Sequence, residues 1–383
     1  MVQSRWVQRA GPGLLVILAI GLLRAGPAGA DVRAWSPPDC GVDAATVAET
    51  ARTASPGAAE PVAAPWYRLD AVLDDSLAVR GQKLALGLAG DADARTLDLS
   101  AESFAAGPFG GWILAGSDDG RVSELRLLDP RADCALTVAT ERAVIRRATL
   151  DPAGSAIYEF RVDRATRADL GVWRRPLDGS APEQVLPALP VKAVYGPTFS
   201  TELSWTAESD RLVVQSCGEL ACRTRLIDPV SGTTTLVDDP HLGELVGVSA
   251  DRLVAYAACR GLPCPLVAVD LGSLERQELV ADSGVAVLVR AAGGARIVHE
   301  VGAGARPELR VVDLTGRELD RFAEPAGDLR LVPAPARARA GAAVPAGWIV
   351  LARNGRDLAP SGRSVVLRRL DSDRSVAIEE VAR

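Results

Sequence analysis

The sequence predicts an all-β fold assembled from repeated sheets, and two observations support this prediction. From Trp66 onward, short apolar runs of strand length alternate with clusters of Gly, Asp, Pro and Ser, and helical periodicity is hard to find. One stretch also recurs in the same register 42 residues further on, first as Cys217, Cys222 and Asp228 and then as Cys259, Cys264 and Asp270. A sequence unit that occurs twice at a fixed spacing indicates a repeat architecture.

A second repeated feature is an apolar run that ends in Asp and is followed by a turn. It occurs seven times, at Asp98, Asp129, Asp178, Asp228, Asp270, Asp313 and Asp371. A carboxylate at a strand end can accept hydrogen bonds from the backbone N–H groups of the next turn. A strand-like run precedes most of these phrases and another follows several, so that with one inner strand each unit makes a four-stranded sheet.

The number of units predicts the architecture. Seven units in about 317 residues give about 45 residues each, which is the size of a blade in a β-propeller. We therefore predict an all-β protein with a β-propeller of seven four-stranded blades. Six or eight blades remain open, because the first and last units are degenerate. We expect closure to bring a strand near Trp66 against the C-terminal strands around Ser364 to Val381.

Two stretches, Leu150–Ile157 and Ser209–Gly232, carry a more specific pattern. In each, a polar Asp/Gly turn leads into a strand, and in the second stretch a further strand ends in Asp before a Ser-Gly turn. This pattern resembles the repeats of TolB-like (WD40-like) propellers, most clearly from Leu150 to Phe322. The resemblance implies a propeller in an exported protein. The extra N-terminal α/β domain of TolB has no room in residues 31–65.

The N-terminus has the features of a secretory signal peptide over residues 1–30. Arg5 and Arg9 precede an apolar run, and Ala28-Gly29-Ala30 supplies the small residues of a cleavage site. The apolar run is shorter than the roughly 20 residues of a membrane span, although a retained signal anchor is the alternative. Cys40 lacks the small and aliphatic residues that precede a lipidated cysteine. We expect a periplasmic or secreted protein without a membrane span after cleavage.

The rest of the chain divides into an N-terminal strap and the propeller. Residues 31–65 are rich in Ala and Pro, with a short helix predicted over Asp43–Arg52, and residues 66–383 form the propeller domain. The formal charge of -6 argues against a nucleic acid partner. We expect a monomer.

Six cysteines in an exported chain favour disulfides. Cys217 with Cys222, and Cys259 with Cys264, are each separated by four residues and flanked by strand-like runs, which suits bonds across short hairpins. Cys40 and Cys134 then pair by elimination, although six cysteines allow 15 connectivities. A zinc site made by the four cysteines of the two hairpins is the alternative.

Other candidate residues favour structural roles. The only histidines, His241 and His299, make a catalytic triad or a multi-histidine metal site hard to build. The acidic groups lack the calcium-loop signature and are interpreted as turn residues; they are Asp74-Asp75, Asp91 with Asp93, Asp118-Asp119 and Asp371 with Asp373. Trp112 and Trp348 each follow Gly in a Gly-Trp-Ile sequence and are assigned to a repeated core position. The Pro/Ala/Arg-rich stretch Val332–Gly347 is interpreted as a linker between the last two blades, with a partner-binding loop as the alternative.

These observations favour a non-catalytic, exported propeller that binds a protein or other ligand on one face or at the channel mouth. No catalytic, cofactor-binding or metal-binding residue is assigned, and no cofactor is expected. The alternative is a propeller hydrolase or lactonase with carboxylates and a metal converging at the channel mouth. A propeller that works with a separate peptidase is the third possibility. The fold supports all three, so sequence alone leaves the ligand open.

Overall fold

The structure is a computed structural model of the chain. It describes residues 33–53, 65–74, 76, 78–88, 95–109, 111–151, 153–188, 200–206, 211–218, 221–229, 231–249, 251–291, 293–302, 308–323, 329–331, 340–342, 348–353, 364–370 and 375–380. The predicted signal peptide at residues 1–30 lies outside the described residues, as do Asp75, Asp91, Asp93, Asp371 and Asp373. No helix in the described ranges is long and apolar enough to cross a membrane.

The described residues form one helix, α1 (Ala44–Thr53), and 29 strands. Strands β1 to β8 are Arg33–Ala34, Pro65–Leu73, Val79–Leu88, Arg95–Ser100, Phe104–Phe109, Trp112–Asp118, Ser123–Asp129 and Cys134–Glu141. Strands β9 to β16 are Val144–Leu150, Ala156–Val162, Asp169–Pro176, Glu183–Leu186, Ser200–Thr206, Arg211–Cys217, Cys222–Ile227 and Thr234–Val237. Strands β17 to β24 are Leu242–Val248, Arg252–Ala257, Cys264–Asp270, Arg276–Ser283, Ala286–Ala291, Gly294–Val301, Glu308–Asp313 and Glu318–Ala323. Strands β25 to β29 are Leu329–Leu331, Ala340–Ala342, Trp348–Arg353, Ser364–Arg369 and Ser375–Glu380.

The strands form seven sheets, which confirms the predicted seven-bladed propeller in the described part of the chain. Blades 2 to 6 each consist of four consecutive strands, beginning with β5, β9, β13, β17 and β21. Apolar side chains fill the space between successive blades from the first to the seventh. In each middle blade, alternate residues of the second strand face opposite neighbours, as Leu212 and Val213 do in blade 4.

Each blade has turns at both ends, and these define two faces of the propeller. The hairpin face carries the loops between second and third strands, at 118–123, 162–169, 217–222 and 257–264 in blades 2 to 5. It also carries the connections between blades, such as 141–144. The aspartate face carries the turns between third and fourth strands.

The aspartate face confirms the role predicted for the repeated Asp in the middle blades, whereas the prediction was wrong for Asp98, which lies within β4, the fourth strand of blade 1. Asp178 Oδ1 accepts a hydrogen bond from the Ser180 amide at 2.9 Å, and Asp270 Oδ1 accepts one from the Ser273 amide at 2.8 Å. Asp313 Oδ1 accepts one from the Thr315 amide at 2.8 Å. These carboxylates complete the turn that ends the third strand.

Ring closure differs from the sequence-based expectation. Trp66 in β2 pairs with Ala342 in β26, whereas β28 and β29 pair within the last blade. Strand β26 lies inside the stretch Val332–Gly347, which was interpreted as a linker between the last two blades. That assignment was wrong, because the stretch falls within blade 7, between β25 and β27, and sends three residues to the inner edge of blade 1.

The N-terminal segment runs along the outer edges of the first blades. Strand β1 pairs in parallel with β4 of blade 1, and Asp39 forms a bridge with Ala135 at the start of β8 in blade 2. Helix α1 begins one residue later than predicted and buries Val47 in the core between blades 2 and 3. Cys40 is bonded to Cys134, so this segment is covalently joined to blade 2.

Candidate functional site

An ion pair joins blades 2 and 3 on the hairpin face. Arg164, in the hairpin of blade 3, donates hydrogen bonds from both Nη atoms to the two carboxylate oxygens of Asp118 in blade 2, at 2.8 and 2.6 Å. The Ser123 hydroxyl donates a further hydrogen bond to Asp118. The hydrogen bonds from Arg164, and to a lesser extent those from Ser123 and Gly120, lower the pKa of Asp118 to about 2 although burial opposes this change. Asp118 is therefore an ionised link between two blades.

Disulfides close the hairpins of blades 4 and 5 on the same face. Cys217 and Cys222 are directly opposite each other at the ends of β14 and β15, and their sulfur atoms are bonded. Cys259 and Cys264 are bonded across the equivalent loop of blade 5, which presents Leu262 with 45% of its surface exposed. Because the bonds lie in separate hairpins, the four cysteines do not form the alternative zinc site. Among the described residues, no group of three or more His, Cys, Asp or Glu side chains is arranged to hold a metal.

A depression of about 430 Å³ lies between the hairpins of blades 2 and 3. It is lined by Arg121, Val122, Arg142, Ala143, Asp163, Arg164 and Ala165. Arg164 also donates a hydrogen bond from Nε to the Arg142 carbonyl oxygen at 2.9 Å, which holds the connection between the blades. A second depression, of about 420 Å³, lies beside His241 and Arg276 in blade 5.

The two histidines lie apart in different surroundings. His241 is exposed and lines the second depression. His299 in β22 is 1% exposed, and within the described part of the chain neither ring nitrogen forms a well-aligned hydrogen bond. Burial, assisted by the charge of Arg310, lowers the pKa of His299 to about 4. Its environment favours the neutral ring.

A buried group of four charges was not anticipated from the sequence. Glu159 in β10 is 0% exposed and contacts Arg161 at 2.6 Å and Arg175 at 2.5 Å, and both arginines also contact Glu141 at the end of blade 2. The ring of Trp173 lies 4.8 Å from the guanidinium carbon of Arg161. The available signal was the Glu-x-Arg spacing within a strand, which places both side chains on one face.

Several other acidic and aromatic candidates also have structural contacts. Glu202 on the inner strand β13 accepts hydrogen bonds from Arg147 on the inner strand β9, at 2.9 and 3.3 Å. Asp74 accepts a hydrogen bond from the Ser76 amide at 2.8 Å, and Asp119 accepts one from the Val122 amide at 2.8 Å. Trp112 and Trp348 are each 6% exposed, as expected for core positions.

The fold and this face define a β-propeller whose hairpin loops are fixed in place over blades 2 to 5. No protein-family model matches the chain, and no curated protein matches its sequence. Its similarity to solved structures extends to the propellers of peptidases. A prolyl endopeptidase matches over 88% of this chain and 52% of its own, with 12% identity and a TM-score of 0.55.

Two further structures have similar coverage or fold. A puromycin-hydrolyzing peptidase from Mycobacterium tuberculosis matches over 94% of this chain and 57% of its own, with 14% identity and a TM-score of 0.51. TolB from Acinetobacter baumannii matches over 70% of this chain and 65% of its own, with 11% identity and a TM-score of 0.45. The chain therefore spans about half the length of the peptidases it matches. At these identities the similarity shows the fold.

Proposed function

We propose that the protein is an exported, non-catalytic scaffold that binds a protein or other ligand on its hairpin face. The observation that carries this proposal is the restraint of four consecutive hairpins on one face. The Asp118–Arg164 ion pair joins blades 2 and 3, and a disulfide closes each hairpin in blades 4 and 5. A surface held in one conformation loses less conformational entropy on binding, which favours affinity.

The contacts of the carboxylates support binding more than catalysis. A hydrolase at the channel mouth requires acidic side chains that are available to a metal or to substrate. Glu202 on an inner strand is paired with Arg147, Asp118 is paired with Arg164, and Glu159 is buried between two arginines. Each of these carboxylates already has a guanidinium partner.

Export is supported by the N-terminal sequence together with the disulfides. Disulfides persist in oxidising compartments, and all six cysteines lie in three disulfide pairs. We expect the mature protein to begin at Asp31, which N-terminal sequencing of protein from the cell envelope or medium checks. A mature chain that retains residues 1–30 would support the signal-anchor alternative instead.

Site-specific photo-cross-linking tests the binding face. Blade 3 offers a matched pair of exposed alanines: Ala165 in its hairpin and Ala181 in its turn on the aspartate face. With p-benzoylphenylalanine at each position in turn, we expect a discrete cross-linked partner from Ala165 and none from Ala181. Cross-linking from Ala181 alone would refute the assignment of the face.

The hydrolase alternative requires a separate measurement. Metal analysis of the purified protein, combined with a broad screen of ester, lactone and peptide substrates, distinguishes the two functions. Stoichiometric metal with turnover would overturn the binding proposal. A peptidase captured through Ala165 would instead identify the partner as an enzyme.

A further inference from the structure

Two of the arginines that line the depression between blades 2 and 3 form no ion pair with the described residues. The side chains of Arg121 and Arg142 line it, and among the described residues neither forms an ion pair or a side-chain hydrogen bond. Nearby arginines differ, because Arg126 pairs with Glu124 and Arg146 with Glu102. Both arginines are exposed, so their guanidinium groups are accessible to an anion, which can accept charge-assisted hydrogen bonds from them.

The third arginine of the depression is already neutralised and has a structural role. Arg164 has both Nη atoms on Asp118 and its Nε on the Arg142 carbonyl oxygen. These bonds hold the backbone of Arg142 against the hairpin of blade 3. The depression therefore has a fixed base, and the unpaired groups lie on side chains next to it.

The carboxylates nearest the depression are directed at their own turns. Asp163 accepts hydrogen bonds from the Thr166 amide and hydroxyl, both at 2.7 Å, and these bonds lower its pKa. Asp119 accepts bonds from the Val122 and Arg121 amides at 2.8 and 2.7 Å. The backbone amides are the main cause of the lowered pKa of Asp119, and the charge of Arg121 adds to it only as a smaller cause.

We propose that Arg121 and Arg142 bind a carboxylate-bearing ligand in this depression. A guanidinium group binds a carboxylate through two parallel hydrogen bonds, and the volume of about 430 Å³ lies within the roughly 300–1,000 Å³ of small-ligand sites. The fixed charges of Asp119 and Asp163 beside the site disfavour a polyanion such as nucleic acid. A ligand with one or two carboxylates carries less negative charge to be repelled by Asp119 and Asp163, and it can still bind both guanidinium groups. This inference rests on the proposed binding function and specifies its chemistry.

Calorimetry with defined probes tests the carboxylate site. The probes are a capped peptide of alternating glutamate and glycine, the same peptide with glutamine for glutamate, and free glutarate at equal carboxylate concentration. We expect binding of a carboxylate probe and none of the glutamine peptide. The R121Q/R142Q variant should weaken binding about tenfold or more, as expected for loss of two charge-assisted contacts. Binding of the glutamate peptide but not glutarate identifies an acidic peptide segment, and the reverse identifies a small organic acid.

The controls separate this inference from general charge effects and from the proposed function. Arg260 is an exposed arginine on the same face in blade 5, so R260Q removes a positive charge outside the depression and should leave probe binding unchanged. No carboxylate binding at millimolar probe concentration, or equal weakening by R260Q, would overturn the inference. A partner cross-linked through Ala165 that binds R121Q/R142Q as tightly as wild type would overturn it too, while leaving the binding function intact. Probe binding without any cross-linked partner would instead refute the protein-binding scaffold.

Discussion

Substitution of Glu159 by Gln should destabilise the protein more than an equivalent change at the surface. The side chain of Glu159 is fully buried, and it is the shared partner of Arg161 and Arg175. Its neutralisation leaves two largely buried guanidinium groups with Glu141, which is 25% exposed, as their remaining partner. Removal of one partner from a buried ion pair costs about 3 to 5 kcal/mol.

The matched control is E183Q, in the same blade. Glu183 pairs with Arg174 at 3.1 Å, and 61% of its side chain is exposed. An exposed pair of this kind contributes about 0.2 to 1 kcal/mol. Both substitutions replace a paired glutamate by its amide, so the difference between their losses of stability reports the effect of burial.

Thermal unfolding followed by circular dichroism measures the difference. For the roughly 350 residues that follow the predicted signal peptide, the unfolding entropy is about 0.7 kcal/mol/K at about 2.1 cal/mol/K per residue. The Tm of E159Q should therefore fall by about 4 to 7 °C and that of E183Q by about 1 °C or less. In a double-mutant cycle, E159Q/R175M should lose less stability than the sum of the single variants, because it leaves fewer unpaired charges. Equal Tm shifts for E159Q and E183Q would refute the interpretation of this group as a buried ion-pair network.

Three further predictions concern titratable groups and disulfides. The pKa of His299 is about 4 in the folded protein against the usual 6.5, so the unfolded chain binds the proton first and stability should decrease as pH falls from 6.5 to about 4. In Tm measurements over this pH range, H299F should show a weaker dependence of Tm on pH. An unchanged dependence would contradict the prediction. The pKa of Asp118 is low because Arg164 stabilises its ionised form, so its contribution to folding stability is present above pH 3.8 and is lost as pH falls towards about 2. The Tm difference between wild type and D118N should therefore become smaller over that pH range. A constant difference would contradict this explanation of the low pKa. Denatured, unreduced protein should contain no free thiol, and six titratable thiols would refute the pairing. Loss of the Cys40–Cys134 bond, whose partners have a sequence separation of 94, should cost about 4 to 5 kcal/mol in the chain-entropy model. The C217S/C222S variant should lose about 2 kcal/mol in urea unfolding.

The repeats were predictable because they follow local rules. In blades 2 to 6 the Asp phrase identifies the end of a third strand, since an Asp that caps its own turn leaves the same short sequence signature each time. The repeated cysteine spacing gave the hairpin register, because Cys217 and Cys222 are separated by one tight loop. Both features depend on neighbours within a few residues.

The contacts that join the blades were not predictable in the same way. Asp118 was interpreted as a turn residue, and it does accept a hydrogen bond from the Gly120 amide at 2.9 Å. Its second partner, Arg164, lies 46 residues away, and only the packing of blades 2 and 3 brings the two together. The depression beside Arg142 depends on the same packing, so the sequence does not show it.

The pairing of β26 with β2 affects the order in which the ring can be assembled during synthesis. Trp66 leaves the ribosome long before its partner Ala342, by roughly 15 to 55 s at about 5–20 residues/s. During that interval the first blade lacks its innermost strand, however well blades 2 to 6 have formed. Closure is therefore a late event that joins an early strand to a late one, and chains interrupted before residue 340 have an open ring.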